Sequence, residues 1–161
     1  MEAFSFMKIM GMICLLLVAW FVVRAYRQFR EVRLRELEAL VHALNVVRED
    51  IGVYHTFRPI ALTEELAPLS RLGFLGCEDV GEELRSVLPR MNLSPREKKR
   101  LFESLGKLGE GNLQSETQKV ENIIENVKNM LQKEEEEGRK SVDTLRIVLF
   151  TVILSLVIIL L

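Results

Sequence analysis

The sequence predicts an all-α protein in which an antiparallel helical bundle lies between an N-terminal and a C-terminal transmembrane helix. Residues 4–23 and 147–161 are apolar, whereas residues 24–146 are rich in charged side chains. Within 24–146, apolar residues recur at steps of three and four, which is the period of a helix with one buried face. No part of that segment alternates between apolar and polar residues for long enough to indicate a sheet. Packed helices are therefore the expected architecture.

The two apolar ends differ in length. The stretch 4–23 is interrupted only by Ser5 and Lys8, and it meets the requirement of about 20 residues for a helix that spans a bilayer. The stretch 147–161 is shorter and needs the preceding helical turn to reach across the hydrocarbon core. A cleaved signal peptide is the alternative for the first stretch. Glu2 in its leading region, and the lack of a small-residue cleavage site after it, disfavour that interpretation.

Basic residues flank both apolar ends on the side of the polar segment. The membrane-flanking set is Arg24, Arg27, Arg30, Arg33, Arg35 and Arg146, to which Arg139 and Lys140 add before the second stretch. Because the cytoplasmic flanks of membrane helices are enriched in Lys and Arg, this pattern predicts that 24–146 lies in the cytoplasm and that both ends of the chain lie outside. The same cluster attracts anionic headgroups, so membrane lipid is an expected partner.

The first two helices of the polar segment are predicted from their apolar residues and from proline positions. One helix covers Leu34 to Tyr54 and continues directly from the first membrane stretch. A short second helix begins at Pro59, a residue type suited to the first helical position, and Pro68 limits its length. The apolar face of the first helix is Leu34, Leu37, Leu40, Val41, Leu44, Val47, Ile51 and Tyr54, and that of the second is Ile60, Leu62, Leu66 and Leu69.

A third helix is expected to start at Glu78 or Asp79 and to end at Pro89. The last helix follows the glycine-rich stretch 105–111 and runs on into the second membrane stretch. No strand precedes these glycines and no Gly-Lys-Ser/Thr ending follows them, so a helix end and a turn are favoured over a phosphate-binding loop. The apolar face of the last helix is Leu113, Val120, Ile123, Ile124, Val127, Met130 and Leu131.

The fourth helix has the clearest start. Ser94 supplies an N-cap hydroxyl, Pro95 suits the first helical position, and Glu97 completes a capping box; Leu101, Leu105 and Leu108 form the apolar face. Four basic residues follow the cap, namely Arg96, Lys98, Lys99 and Arg100. Because cations at a helix N-terminus oppose the macrodipole, a role other than helix stability is indicated. We expect this group to contact a partner protein.

The sequence indicates a protein without enzymatic activity, cofactor, metal or small-molecule substrate. No nucleophile, base and acid can be assembled into a catalytic set. His42 and His55 have no second ligand at metal-binding spacing, and 134–137 is interpreted as a solvated acidic face. Cys14 and Cys77 are expected to stay unbridged. Lys and Arg number 22 against 23 Asp and Glu, so the nearly neutral chain lacks the basic surface that nucleic-acid binding requires.

The order of these features resembles a known family. The residues that carry the resemblance are Leu37-Glu38-Ala39-Leu40, then Ile51, Tyr54, Thr56 and Pro59, then Leu105-Gly106-Lys107-Leu108-Gly109, Gln118 and the final apolar stretch. With two apolar ends around them, they resemble the stage III sporulation protein AB family over nearly the whole chain. Two departures are Asn112, where the family tends to place an aspartate, and a final stretch without glycines near its start.

The resemblance implies a secretion-platform-like helical bundle, related to inner-membrane platform proteins of type II secretion and type IV pilus systems. It implies a non-enzymatic component of the channel between mother cell and forespore, located in the mother-cell membrane. Its expected partners are the cytoplasmic ATPase of that machine, stage III sporulation protein AA, and the other stage III sporulation channel subunits. The bundle would dock the ATPase.

Two alternatives stay open at the level of the sequence. One is a structural membrane scaffold that self-associates through its long helices and has no motor partner. The other is a platform subunit of a general secretion or pilus system, which would normally carry a duplicated bundle and more membrane helices. Capture of an ATPase distinguishes the first alternative from a motor-docking platform.

Overall fold

A computed structural model of the chain describes residues 2–54, 60–76, 79–109 and 111–160. Within the helices, the description leaves out the side chains of residues 2–9, 12, 53, 54, 139, 146 and 156–160. Several sequence predictions concern residues outside these limits: the helix start at Pro59, the alternative start at Glu78, the assignments of His55 and Cys77, and the side chains of Tyr54 and Arg146.

The protein is all-α, as predicted, and its described residues contain no strand. The elements in chain order are α1 (Glu2–Tyr54), a 3-10 turn (Glu64–Leu66), α2 (Ala67–Arg71), α3 (Val80–Val87), a second 3-10 turn (Leu88–Arg90), α4 (Pro95–Leu105) and α5 (Leu113–Leu160). The predicted continuity of the first and last helices is confirmed, because α1 and α5 are each uninterrupted.

No helix in the described part of the chain is both long enough and apolar enough to cross a membrane.

The chain divides into two compact units. Unit 1 consists of the residues up to Glu31 together with those from Glu135 onwards, and unit 2 is Val32–Glu134. Helices α1 and α5 contribute to both units.

Unit 2 contains the hydrophobic core. Helix α1 supplies a stripe of buried residues, from Leu37 to Ile51, at the three- and four-residue spacing that the sequence predicts. The other helices of the unit close over this stripe. The buried apolar residues of these helices and of the connections are Ile60, Leu66, Leu69, Phe74, Val80, Leu84, Val87, Leu88, Met91, Leu93, Leu101, Leu105, Val120, Ile123, Ile124 and Val127.

The predicted starts of α3 and α4 are confirmed. Asp79 is the N-cap of α3, and its carboxylate accepts a hydrogen bond from the backbone N–H of Glu82 at 2.9 Å. Ser94 and Glu97 form the capping box of α4, with Pro95 at the first helical position. Each cap satisfies backbone donors that the first turn of a helix leaves unpaired. Local residue chemistry therefore fixes where both helices begin.

The predicted second helix is wrong in its start and in the role given to Pro68. The described residues 60–63 are not helical, and Leu62 is 49% exposed. Helix α2 instead begins at Ala67 and contains Pro68 in its first turn. Proline is favoured there because its missing N–H would have no intrahelical partner and its fixed φ suits a helix. Pro68 thus starts a helix that it was expected to limit.

Helix α2 ends in a Schellman motif that turns Phe74 into the core. The N–H of Phe74 donates to the carbonyl of Leu69 at 3.1 Å, and the N–H of Gly73 donates to the carbonyl of Ser70 at 3.0 Å. Gly73 has φ +98°, a conformation that residues with a Cβ rarely adopt. Phe74 is fully buried, whereas the next residue, Leu75, is 69% exposed. A segment that the sequence indicates only as a loop thus supplies the largest fully buried side chain.

Helix α5 begins at Leu113, but this residue does not belong to its buried face. Leu113 is 41% exposed, which corrects its predicted place on the apolar face. The preceding residue, Asn112, is the cap: its side-chain oxygen accepts from the N–H of Ser115 at 2.9 Å. Leu113 therefore occupies the first turn, before the helix reaches the core at Val120. Asparagine is among the residues that cap helices best, which accounts for the position of Asn112.

In unit 1, α1 and α5 contact each other through polar side chains. The hydroxyl groups of Tyr26 and Ser141 lie 3.0 Å apart. Gly138 is buried, and a Cβ at this position would overlap the guanidinium of Arg30. The glycine inside α5 thus leaves room for an arginine of α1.

Replacement of Phe74 tests the contribution of this turn to the core. We expect Phe74→Ala to lower the free energy of unfolding by about 3–5 kcal/mol, because it removes a fully buried aromatic side chain and leaves a cavity. The neighbouring Leu75→Ala should change it by no more than about 0.5 kcal/mol. Urea unfolding followed by far-UV circular dichroism measures both. Equal effects of the two substitutions would contradict the inward position of Phe74.

Candidate functional site

The four basic residues predicted to contact a partner lie in the first two turns of α4, but they do not form one free cluster. Arg96, Lys99 and Arg100 are exposed, and their spacing of three and four places them on one side of the helix. Lys98 is half-buried, and its ammonium donates to the carbonyl of Pro89 at 2.8 Å. Lys98 therefore ties α4 to the preceding 3-10 turn. We call Arg96, Lys99 and Arg100 the basic face.

The basic face is weakly compensated within the described part of α4. Lys99 lies 4.0 Å from Glu103, and both side chains are largely exposed, an arrangement that contributes little in water. Arg96 lies in the first turn, where a cation opposes the helix dipole. These cations are therefore available to an anionic partner. Helix stability does not explain the presence of an arginine at position 96.

A cleft between α4 and α5 lies directly beside the basic face. It has a volume of about 340 Å³, and Arg100 lines it together with Lys107. Ile123 and Met130 provide apolar side chains on the α5 side. We call this the α4–α5 cleft. The lining also includes Glu103. A chain segment that carries a carboxylate next to an apolar side chain would find two cations against this one glutamate, and apolar side chains beside them.

An ion-pair network holds α4 against both long helices. The Nη2 atom of Arg33 on α1 donates to Oε1 and Oε2 of Glu97, at 3.2 and 3.1 Å, and lies 3.1 Å from Oε2 of Glu134 on α5. The three side chains are no more than 23% exposed. Partly buried pairs are screened less by salt than surface pairs, so Arg33 fixes the start of α4 relative to its neighbours.

Glu97 is ionised more readily than an ordinary glutamate. Burial raises the pKa of Glu97, but hydrogen bonds to the side chain and backbone of Ser94 outweigh it, together with the positive charges of Arg33 and Lys133. Their net effect holds the pKa below its ordinary value of 4.5. The carboxylate serves the capping box and the ion pair at once.

A carboxylate of α1, that of Glu36, holds the connection that leads into α4. Glu36 is only 3% exposed. Its Oε2 accepts from the backbone N–H of Asn92 at 2.7 Å, and its Oε1 accepts from the side-chain amide of Asn92 at 2.8 Å. A buried carboxylate is costly unless its oxygens are hydrogen-bonded. These two hydrogen bonds therefore hold the segment before Ser94 in one conformation.

The glycine turn before α5 is fixed by another buried carboxylate, that of Glu116. Glu116 is 5% exposed; it accepts from the N–H of Gly109 at 2.8 Å and from the ammonium of Lys119 at 2.7 Å. Burial raises the pKa of Glu116, but these bonds, the Lys119 charge and the backbone of Gly111 hold it below 4.5. Gly109 has φ +88°. The predicted helix end and turn are thus confirmed, and the Glu116 carboxylate holds the turn through its bond to Gly109.

The predicted membrane-flanking arginines occupy different environments. Arg24 and Arg27 line a groove of unit 1, and Arg30 lies against Gly138 in the same unit. Arg33 belongs to the ion-pair network of unit 2, while Arg35 is exposed. The side chain of Arg146 is outside the description. Arg33 therefore forms ion pairs within unit 2, which its position in a run of basic residues did not indicate.

No group of three or more His, Cys, Asp or Glu in the described ranges could hold a metal ion. His42 faces Glu65 at 3.2 Å, with both side chains substantially exposed. Cys14 is an exposed free thiol.

Sequence reasoning missed Glu36 and Glu116 as the anchors of two turns. Glu36 did carry a signal, because it lies four residues before Leu40 and thus on the side of α1 that faces the core. A charged residue within an apolar stripe indicates a buried hydrogen-bonding partner. The partner, Asn92, is distant in sequence and could not be identified from periodicity.

Removal of the Glu36 carboxylate should destabilise unit 2 strongly. We expect Glu36→Ala to lower the free energy of unfolding by about 1–3 kcal/mol, because the partly buried N–H of Asn92 loses its acceptor. Glu38→Ala, two residues away and exposed, is the matched control and should cost no more than about 0.5 kcal/mol. Urea unfolding measures both. A Glu36 variant as stable as the control would show that the hydrogen bonds do not hold this segment.

The lowered pKa of Glu97 predicts the direction of a pH effect. Ionised Glu97 stabilises the fold above the ordinary value of 4.5, and this contribution is lost as the pH falls through the lower folded-state pKa. Glu97→Gln should therefore cost about 0.3–1 kcal/mol at neutral pH, the range for an anionic side chain at a helix N-terminus, and progressively less below about pH 4.5. The free energy of unfolding measured against pH tests this. Exposed Glu103→Gln is the control, and a Glu97→Gln deficit independent of pH would contradict the assignment.

Comparison of this chain with protein-family models, with curated proteins and with solved structures finds no match to any of them.

Proposed function

We propose that this chain is a non-enzymatic membrane platform whose unit 2 docks a cytoplasmic ATPase through the basic face of α4. The observation that carries the proposal is the position of Arg96, Lys99 and Arg100: they are exposed and lie beside the α4–α5 cleft. Arg96 lies in the first turn of α4, where a cation opposes the helix dipole. Contact with an anionic surface of a partner protein would explain these cations, whereas the fold does not require them.

The way in which α4 is held supports a docking role. Arg33 pairs with Glu97 in its first turn, and Glu36 holds Asn92 just before its cap. A binding surface on a helix fixed at its start loses less conformational entropy on association than one on a mobile segment. The basic face is therefore preorganised for a partner.

Membrane attachment is part of the proposal and rests on the apolar ends of the sequence. The described side chains of these ends include many large apolar residues that unit 1 leaves exposed, and contiguous exposed apolar surface typically marks a membrane or protein contact. The most exposed are Leu17, Val18, Trp20, Phe21, Ile147 and Phe150. In this proposal the basic flanks Arg24 and Arg27 face the cytoplasm.

The biological setting follows the resemblance to the stage III sporulation protein AB family. The proposed location is the mother-cell membrane, and the proposed partners are stage III sporulation protein AA and the other subunits of the channel to the forespore. Continuous α1 and α5 helices support a platform, because each joins residues of unit 2 to an apolar end of the chain. The chain itself would carry out no reaction.

The test is binding of the purified ATPase to the full chain reconstituted in lipid nanodiscs. We expect saturable binding that Arg96→Glu/Lys99→Glu weakens by about tenfold or more, because reversed charges repel an anionic partner. The control is Arg35→Glu/Lys128→Glu, which makes the same change in net charge at two exposed residues of unit 2. This control should bind like the unaltered chain.

Thermal unfolding separates lost docking from lost folding. A glutamate in place of Arg96 suits the helix dipole, so the double variant should unfold no earlier than the unaltered chain. Undiminished ATPase binding by the folded double variant would exclude the basic face. If the unaltered chain self-associates but captures no ATPase, the structural scaffold replaces the platform.

A further inference from the structure

Unit 1 contains an open groove that combines apolar walls with two arginines. Its volume is about 640 Å³, within the size range of sites that bind small molecules. Helix α1 contributes Leu16, Ala19, Trp20, Val23, Arg24 and Arg27, and helix α5 contributes Leu149, Phe150 and Ile153. On α1 the apolar residues come first and the arginines follow, so charge is confined to one end of the groove.

Arg24 is positioned by the only tryptophan of the chain. Its guanidinium carbon lies 5.1 Å from the centre of the Trp20 ring, a distance at which a cation and an aromatic face attract each other. Arg27 follows three residues later on the same side of α1. The two guanidinium groups can therefore approach one anion together, and guanidinium is well suited to bidentate contact with phosphate.

We propose that this groove binds one anionic phospholipid, with its phosphate at Arg24 and Arg27 and the first part of an acyl chain along the apolar walls. The inference rests on the membrane attachment proposed above and adds a defined ligand site to it. Charge complementarity identifies the headgroup end, because two cations at the mouth of an apolar groove match an anion joined to a hydrocarbon chain. A soluble phosphate would leave the walls at Val23, Leu149 and Ile153 uncovered.

The site differs from general attraction of lipids to a basic segment. Such attraction acts on every Lys or Arg near an anionic surface, so it would not distinguish Arg24 and Arg27 from Arg35. The groove predicts that Arg24 and Arg27 matter together and that Arg35, in unit 2, does not. It also predicts close contact between the bound lipid and Trp20.

Quenching of Trp20 fluorescence by brominated lipids provides the test. The full chain is reconstituted in phosphatidylcholine bilayers that contain a small, equal fraction of either brominated phosphatidylglycerol or brominated phosphatidylcholine. Since Trp20 is the only tryptophan, tryptophan quenching reports on the lipids around Trp20, and the difference between the two lipids reports on the groove. We expect the apparent affinity for the anionic lipid to exceed that for the neutral lipid by about tenfold, the order that two basic contacts provide.

Three variants separate the site from the bilayer around it. Arg24→Gln/Arg27→Gln should abolish the preference for the anionic lipid, whereas Arg24→Lys/Arg27→Lys should keep part of it because the charges remain. Arg35→Gln/Lys128→Gln removes the same number of positive charges from exposed residues of unit 2, so it is the matched control and should keep the full preference. Comparison of the two lipids within each variant removes any direct effect of Arg24 on the Trp20 emission.

The outcomes distinguish the lipid site from membrane attachment. Equal quenching by both lipids in the unaltered chain would overturn the lipid site and leave membrane attachment standing. A preference that survives in Arg24→Gln/Arg27→Gln would also overturn it. Quenching by neither lipid would overturn the lipid site and the proposed membrane attachment together.

Discussion

The arrangement of unit 2 depends on the buried carboxylate of Glu36. This group lies on the core side of α1 and accepts two hydrogen bonds from Asn92, one from the backbone and one from the side chain. One turn earlier, Arg33 pairs with Glu97. A single stretch of α1 therefore sets both the connection into α4 and the first turn of α4. Because an unpaired buried carboxylate would be costly, other placements of this connection are disfavoured.

This constraint links the fold to the proposed docking surface. The capping box uses Glu97 both to start α4 and to meet Arg33, so the helix begins at a fixed place with the basic face turned to solvent. Behind it, buried Leu101 and Leu105 attach the helix to the core. The energy that holds α4 thus comes from residues other than those proposed to bind the partner. Arg96, Lys99 and Arg100 are consequently free to serve recognition.

Local signals in the sequence predicted much of this fold, and distant contacts account for what it missed. Capping residues at Asp79 and Ser94 gave correct helix starts because they act within one turn. Pro68 was misassigned because proline is compatible with a helix start as well as with a helix end. Phe74 was missed because its burial depends on the turn made by Gly73.

Within the candidate site, the sequence indicated the basic residues of α4. The bond from Lys98 to Pro89 and the cleft between α4 and α5 could not be predicted, because they depend on how distant segments pack.

Site-specific photocrosslinking tests the central claim most directly. A photoreactive amino acid is placed at position 99 in the basic face, or at position 128 on the exposed side of α5, in the full chain reconstituted with the ATPase. The proposed function predicts a crosslink to the ATPase from position 99 and none from position 128. Crosslinks from position 128 alone, or crosslinks from position 99 only to other copies of the same chain, would contradict docking through α4.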